Sequence, residues 1–208
     1  MTRDKHDGGE HPRLIPGGGE DIAKHSAVTV EHYTPTWIVD SARAVMGGID
    51  LDPASTSLVN DAHVHATRFY CEADDGLAHP WAGRVFLNPP GGKIGGKSYA
   101  GMWWTKLLAA YESFDIEQAV FVAYSLEIFQ TAQRNGPPPF AFPFCVPRSR
   151  VKYLVRDGSA FREGTSPPNA SAIVYLPLRE HTPIETVVNV AAVERFRTLF
   201  TPHGAVRT

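Results

Sequence analysis

Each short apolar run between residues 48 and 123 stops at a polar or proline-glycine turn, and helical patterns fill the intervals. Gly48-Ile49-Asp50-Leu51 runs into Asp52-Pro53, Phe69-Tyr70-Cys71 precedes Asp74-Asp75-Gly76, and Arg84-Val85-Phe86-Leu87 is cut off by Asn88-Pro89-Pro90. Short apolar runs bounded in this way read as strands. Thr34 then offers an N-cap with Pro35 at the first helical position, and Ile38, Ala42, Val45 and Met46 recur at helical spacing until Gly47-Gly48 ends them. The same reasoning predicts helices over 58–67, 99–111, 127–133 and 186–200, and strands over 119–123, 151–155 and 171–176. The proline-dominated stretch 136–147 reads as an ordered loop or insertion. Strands alternating with helices predict an α/β fold: an open sheet with helices on both faces and ligand sites at the carboxyl ends of the strands.

At 208 residues, 43% of them apolar, the chain suits one folded domain. That domain is expected over 29–202, after a Gly-, His- and charge-rich disordered leader over 1–28 and before a short tail over 203–208. No apolar run spans a bilayer and the N-terminus lacks a secretory pattern, so no membrane partner and a cytoplasmic location are expected. Cys71 and Cys145 are too far apart in sequence for a disulfide framework and read as small core residues. With 20 basic against 22 acidic residues, bulk charge does not bring this chain to nucleic acid. Local charge points the other way. No Asp or Glu lies between Gly76 and Tyr111, where Arg84, Lys93, Lys97 and Lys106 fall, and Arg148, Arg150, Lys152 and Arg156 cluster later. Two basic faces of this kind suit a phosphate backbone or a solvated surface.

In a doubly wound sheet the turns at Asp52-Pro53, Asp74-Asp75-Gly76 and Asn88-Pro89-Pro90 converge on one crevice. The last is the most informative. Two prolines after an Asn hold the backbone extended, so that the Asn88 side chain and the Pro89 carbonyl point the same way. Two acceptors side by side match an exocyclic amine. If each accepts one N–H, the nitrogen is driven toward tetrahedral geometry and its lone pair is freed for in-line attack on a methyl sulfonium.

Taken together, Tyr33-Thr34-Pro35, Asp50-Leu51-Asp52-Pro53-Ala54-Ser55, Phe69-Tyr70, Asp74-Asp75-Gly76-Leu77, Trp81, Val85 through Pro90, and Ser171 through Leu176 span most of the chain from residue 32 to 177. In these residues and their order the chain resembles the phage-type, Dam-like DNA N6-adenine methyltransferases, which use S-adenosylmethionine. The resemblance implies a Rossmann-like methyltransferase sheet and a DNA partner. It implies Tyr33, Thr34 and Pro35 against the cofactor, Asp50, Asp52, Pro53 and Ala54 near its ribose or methionine end, and Asp75 near its adenine. Asn88, Pro89 and Pro90 form the catalytic turn. Two departures stand out: Gly91 occupies the position where these enzymes commonly carry an aromatic that stacks on the target base, and the segment between Ala54 and Asn88 has room for one βα unit, so the cofactor half is abbreviated. Tyr99, Trp103 or Trp104 would then have to supply the stacking, while Lys93, Lys97, Arg148 and Arg150 reach phosphates. The same two acceptors also suit cytosine N4.

Two other readings compete. Gly91 to Ser98 satisfies G-x-x-x-x-G-K-[ST], the phosphate loop of nucleotide hydrolases and kinases, although Asn88-Pro89-Pro90 intervenes between strand and loop and no magnesium-binding partner strand is evident. The departures also suit a non-catalytic DNA-binding remnant of the methyltransferase fold. His63-x-His65 lacks a second ligand pair and reads as surface histidines, so no metal is expected.

Overall fold

The computed structural model describes residues 32–208 except 96, 135, 158–159, 166–167 and 180–182, and the side chains of 94, 97 and 183–185 also fall outside the description. The expected leader over 1–28 lies outside the described residues. One compact unit runs from Glu31 to Thr208.

Helix α1 spans Thr36–Met46 and buries Ile38, Val39, Ala42, Val45 and Met46, the stripe expected from their spacing. Its start differs from expectation: Pro35 is itself the N-cap, in extended conformation with no side-chain cap, so Thr34 stands outside the helix. Gly47 ends α1 at φ 78°, a left-handed conformation that glycine adopts without a Cβ penalty. Strand β1 (Leu51–Asp52) follows, then a short helix α2 (Ser57–Val59) capped by the Thr56 hydroxyl. The chain widens at once into a π-helical turn over Asn60–Val64 rather than continuing as a regular helix through 67. The cause is Asn60, whose side chain accepts from Ala66 N–H at 2.8 Å and donates to the Ala66 carbonyl at 3.1 Å, drawing the chain into a tight close.

The strands β2 (Arg68–Phe69), β3 (Gly83–Leu87) and β6 (Ile116–Ala123) extend the sheet, and helix α3 (Tyr99–Glu112) joins the last two. Between β3 and α3 lies a hairpin of β4 (Lys93–Ile94) and β5 (Lys97–Ser98). Helix α4 (Glu127–Thr131) comes next. Within the proline-rich stretch, Phe144–Pro147 is strand β7, paired on both sides, which corrects the loop expectation. The prolines at 143 and 147 mask a three-residue apolar run whose ladder partners come from distant sequence. Strand β8 (Leu154–Asp157) begins later than expected and forms a separate hairpin with β9 (Ala160–Glu163). Strand β10 (Ala172–Leu176), helix α5 (Pro183–Phe200) and strand β11 (Gly204–Arg207) complete the chain. The expected tail is therefore largely a sheet strand, held along β7.

The result is a seven-stranded mixed sheet in the order β11-β7-β10-β6-β3-β1-β2. Strands β2, β1, β3 and β6 are parallel, and β10 runs antiparallel between β6 and β7. Alternation along the strands makes two cores. Phe86, Val120, Val122, Ile173 and Tyr175 face α1 and α5, while Val85, Leu87, Phe121 and Val174 face α3 and α4. Each fully buried large side chain contributes about 1.5–3 kcal/mol. Helices thus cover both faces as expected. From β1 the chain steps to β2 on one side, then returns past β1 to β3 on the other. That reversal puts a topological switch point, and hence a crevice, at the carboxyl ends of β1 and β3. Among the described residues, the two-residue β2 alone lies beyond β1, so the described sheet is short on that flank.

Candidate functional site

The carboxyl edge of the sheet gathers the turns that the sequence singled out. Asp52 closes β1 and is 4% exposed, its Oδ1 accepting the Ala54 N–H at 3.1 Å. Burial pushes its carboxyl up to about 7, against the weaker downward pull of that N–H and of the neighbouring Ser55 hydroxyl. The Ser55 hydroxyl is itself buried and has no partner at hydrogen-bond geometry. Asp52 therefore shapes the turn from inside, with Pro53 buried and Ala54 half-buried beside it. The Asp74-Asp75-Gly76 turn packs directly on it, Gly76 against the Pro53 carbonyl. Asp75 is exposed at φ 53°, with Oδ1 accepting from Leu77 N–H.

Asn88 emerges half-buried from β3, followed by buried Pro89 and exposed Pro90. Among the described residues nothing bonds to the Asn88 side chain, which leaves its acceptor available. Alternation from Phe86 puts Asn88 on the α1/α5 side of the sheet. Tyr124, one residue past β6, lies on the same side, packed against that core. Its ring stands beside Gly91: a Cβ built there would be 3.6 Å from Tyr124 Cζ and Oη. Ser171, one residue before β10, bonds Tyr153 Oη at 3.1 Å, and burial drives that phenol up to about 12. The row Asp52, Asn88, Tyr124 and Ser171 thus crosses the ends of β1, β3, β6 and β10.

The segment before α1 reaches this edge as well. Tyr33 pairs with Leu154 and meets Phe161 edge-on at 5.2 Å between ring centroids. Thr34 and Pro35 are buried, and the Thr34 carbonyl accepts from His63 Nε2 at 2.6 Å. His63 therefore ties the turn after β1 to the start of α1, a role its surface reading missed. Among the described residues no group of three His, Cys, Asp or Glu could hold a metal ion.

Several expected site residues work elsewhere. Asp50 sits at the opposite, amino end of β1, where its Oδ2 and Oδ1 accept from Arg84 Nε and Nη2, each at 2.7 Å. Trp103, 3% exposed, and Trp104, 2% exposed, are core residues, the first stacked near Trp81 at 5.8 Å. Tyr99 is half-buried, edge-on to Trp103 and packed with it against the core on the α3 side of the sheet. Arg148 donates to the Pro202 carbonyl at 2.7 Å and so fastens the end of α5 to β7. Lys106 donates to the Leu77 carbonyl and lies over Trp81, and Lys152 pairs with Glu163. The basic faces are consequently thinner than the sequence suggests. Lys93 and Arg150 remain exposed, and the Lys97 side chain lies outside the described residues.

The Gly91–Ser98 stretch is a paired hairpin, Lys93 opposite Ser98 and Ile94 opposite Lys97. The Ser98 hydroxyl caps α3 by accepting from Gly101 N–H. A phosphate cradle needs those backbone N–H groups and that hydroxyl turned toward one anion. Here the pairing and the cap use them, so the geometry counts against a phosphate loop.

Tyr124 is the residue that sequence reasoning missed. Its signal was positional: it follows a buried strand whose end, like that of β3, lies at the carboxyl edge. No family model, curated protein or solved structure matches the chain.

Proposed function

We propose that this protein transfers a methyl group from S-adenosylmethionine to the N6 amine of adenine in DNA, on a Rossmann-like sheet. The observation that carries the reading is the Asn88-Pro89 turn: an acceptor side chain with no hydrogen-bond partner among the described residues, followed by two prolines, at the strand ends flanking the switch point. The polar row beside it and the turns packed at the end of β1 add support.

A cofactor with a ribose and an amino-acid end fits the turn in one observable respect. The Ser55 hydroxyl is buried there beside the Asp52 carboxyl without completing a hydrogen bond to it, and a buried polar group left in this way costs about 1–3 kcal/mol unless something bonds it. Asp75, with one oxygen turned to Leu77 N–H and the other open, and the backbone of Asp52-Pro53-Ala54 would hold the cofactor together with Tyr33-Thr34-Pro35. Bound there, S-adenosylmethionine supplies an electrophilic methyl group. Asn88 Oδ1 and the Pro89 carbonyl accept the two N–H groups of the amine, which withdraws its lone pair from ring conjugation and aims it along the attack line. The surplus proton passes to water. Lys93 and Arg150 contribute backbone phosphate contacts, which fix position without reading sequence.

Calorimetric titration of the full chain with S-adenosylmethionine, beside ATP with Mg²⁺, tests the reading, followed by mass spectrometry of treated unmethylated DNA. Micromolar binding of the first ligand alone and the appearance of N6-methyladenine are expected. ATP binding without S-adenosylmethionine binding would overturn it, as would DNA binding with no affinity for the cofactor.

A further inference from the structure

We infer that Tyr124 is the residue on which the target base stacks, an inference that rests on the amine-clamp reading of Asn88. A base gripped only by its amine still has two bare faces, and a nucleotide drawn out of a stack is held by an aromatic surface as well as by hydrogen bonds. The aromatic candidates of α3 lie on the opposite face of the sheet from Asn88: Trp103 and Trp104 are enclosed in that core, and the half-buried Tyr99 packs against it. Tyr124 meets the geometric requirements. Strand β6 is the parallel neighbour of β3, with Leu87 opposite Phe121, so Asn88 falls level with Val122, and Tyr124, two residues beyond Val122, stands past it on the same face at the same edge of the sheet. The Tyr124 ring is half-buried and makes no hydrogen bond or ring contact among the described residues, so neither of these holds it in its place.

Gly91 makes the arrangement possible. The turn after Asn88-Pro89-Pro90 carries no side chain, and the volume that one would enter is bounded by the Tyr124 ring, 3.6 Å from a built Cβ. The ring therefore borders the backbone that leads out of the clamp. Any sizeable side chain at 91 would stand between Tyr124 and a base held by Asn88. The residue pair works as one unit: a small residue on the turn and an aromatic one on the adjacent strand.

The test compares Tyr124→Phe, Tyr124→Leu and Tyr124→Ala, with Gly91→Tyr added to the last, using unmethylated plasmid DNA and S-adenosylmethionine. Stacking energies of this kind correspond to a loss of about 10- to 100-fold in kcat/KM for DNA in the Ala and Leu variants. Tyr124→Phe should stay within about threefold of the parent, and Gly91→Tyr should recover much of the loss of Tyr124→Ala by returning a ring from the other strand. Cofactor affinity by titration should be unchanged throughout, which separates lost stacking from lost folding. Equal activity of the Leu variant and the parent would overturn the assignment while leaving the clamp intact. A parent chain that binds S-adenosylmethionine but never methylates DNA would overturn both.

Discussion

Gly76 lies so close to the Pro53 carbonyl that a Cβ at this position would run into that oxygen, with the Trp103 ring 3.0 Å away on the other side. The turn after β2 is thereby locked on the turn after β1, and Trp81 Nε1 holds it by donating to the Gly76 carbonyl at 2.8 Å. Gly76→Ala is expected to lower unfolding stability by about 1–3 kcal/mol, because neither the backbone carbonyl nor the buried indole can retreat cheaply. Urea unfolding midpoints would check this, and an unchanged midpoint would refute the packing.

Asp52 gives a pH signature. Its folded carboxyl is raised to about 7 from an ordinary value of 3.8, so the folded state binds a proton that the unfolded state has released. Stability is thus fully present below pH 4, falls as pH rises from there to about 7, and levels off above. Asp52→Asn keeps an oxygen for the Ala54 N–H and removes the ionisation. The variant should be the more stable protein at pH 8, with the difference shrinking toward pH 4. Thermal melts across that range decide it.

Arg84 and Asp50 predict the opposite slope. The guanidinium forks onto the carboxylate and holds its pKa below the usual value, chiefly through the side-chain hydrogen bonds. A depressed carboxyl contributes stability above its unfolded pKa and loses it as pH falls through the folded one. Arg84→Met should cost about 1–2 kcal/mol at pH 7, discounted for partial exposure of both partners, with the difference starting to shrink near pH 3.8 and fading as pH falls through the lowered folded value. A constant difference between the two proteins over this range would show that packing of the Arg84 stem, not charge, is what the variant removes.

Asn88→Ala removes one acceptor from the proposed clamp and nothing from the core. Turnover should drop by two or more orders of magnitude, while the dissociation constant for S-adenosylmethionine stays within a few-fold. Single-turnover kinetics with unmethylated DNA separates the chemical step from binding, and an unaltered rate would remove Asn88 from the mechanism.

Local signals were enough for the elements whose cause is local. The stripe of Ile38, Ala42, Val45 and Met46 made α1, the β-branched and aromatic run ending at Ala123 made β6, and the prolines after Asn88 coincide with the end of β3 at Leu87. They failed where a partner far along the chain decides. Pairing with β10 and β11 makes a strand of Phe144–Pro147 despite its prolines, and β7 converts the expected tail into a strand. A different cause acts at Asn60, whose side-chain bonds to Ala66, six residues on, replace a regular helix with a π turn that hydrophobic spacing does not register.

The same division runs through the site. Residue types and their spacing alone determined that an acceptor stands on a proline-fixed turn at a strand end, because those constraints act within three residues. Only the tertiary structure decided which neighbours it has. Two acidic residues two positions apart, Asp50 and Asp52, look equivalent in sequence, yet one is drawn to Arg84 at the amino end of β1 and the other is buried at its carboxyl end. Trp103 likewise lands in the core on one face of the sheet while Tyr124 lands on the other, the Asn88 side, since the side on which a ring lands follows from strand register and helix packing, which no stretch of local sequence encodes.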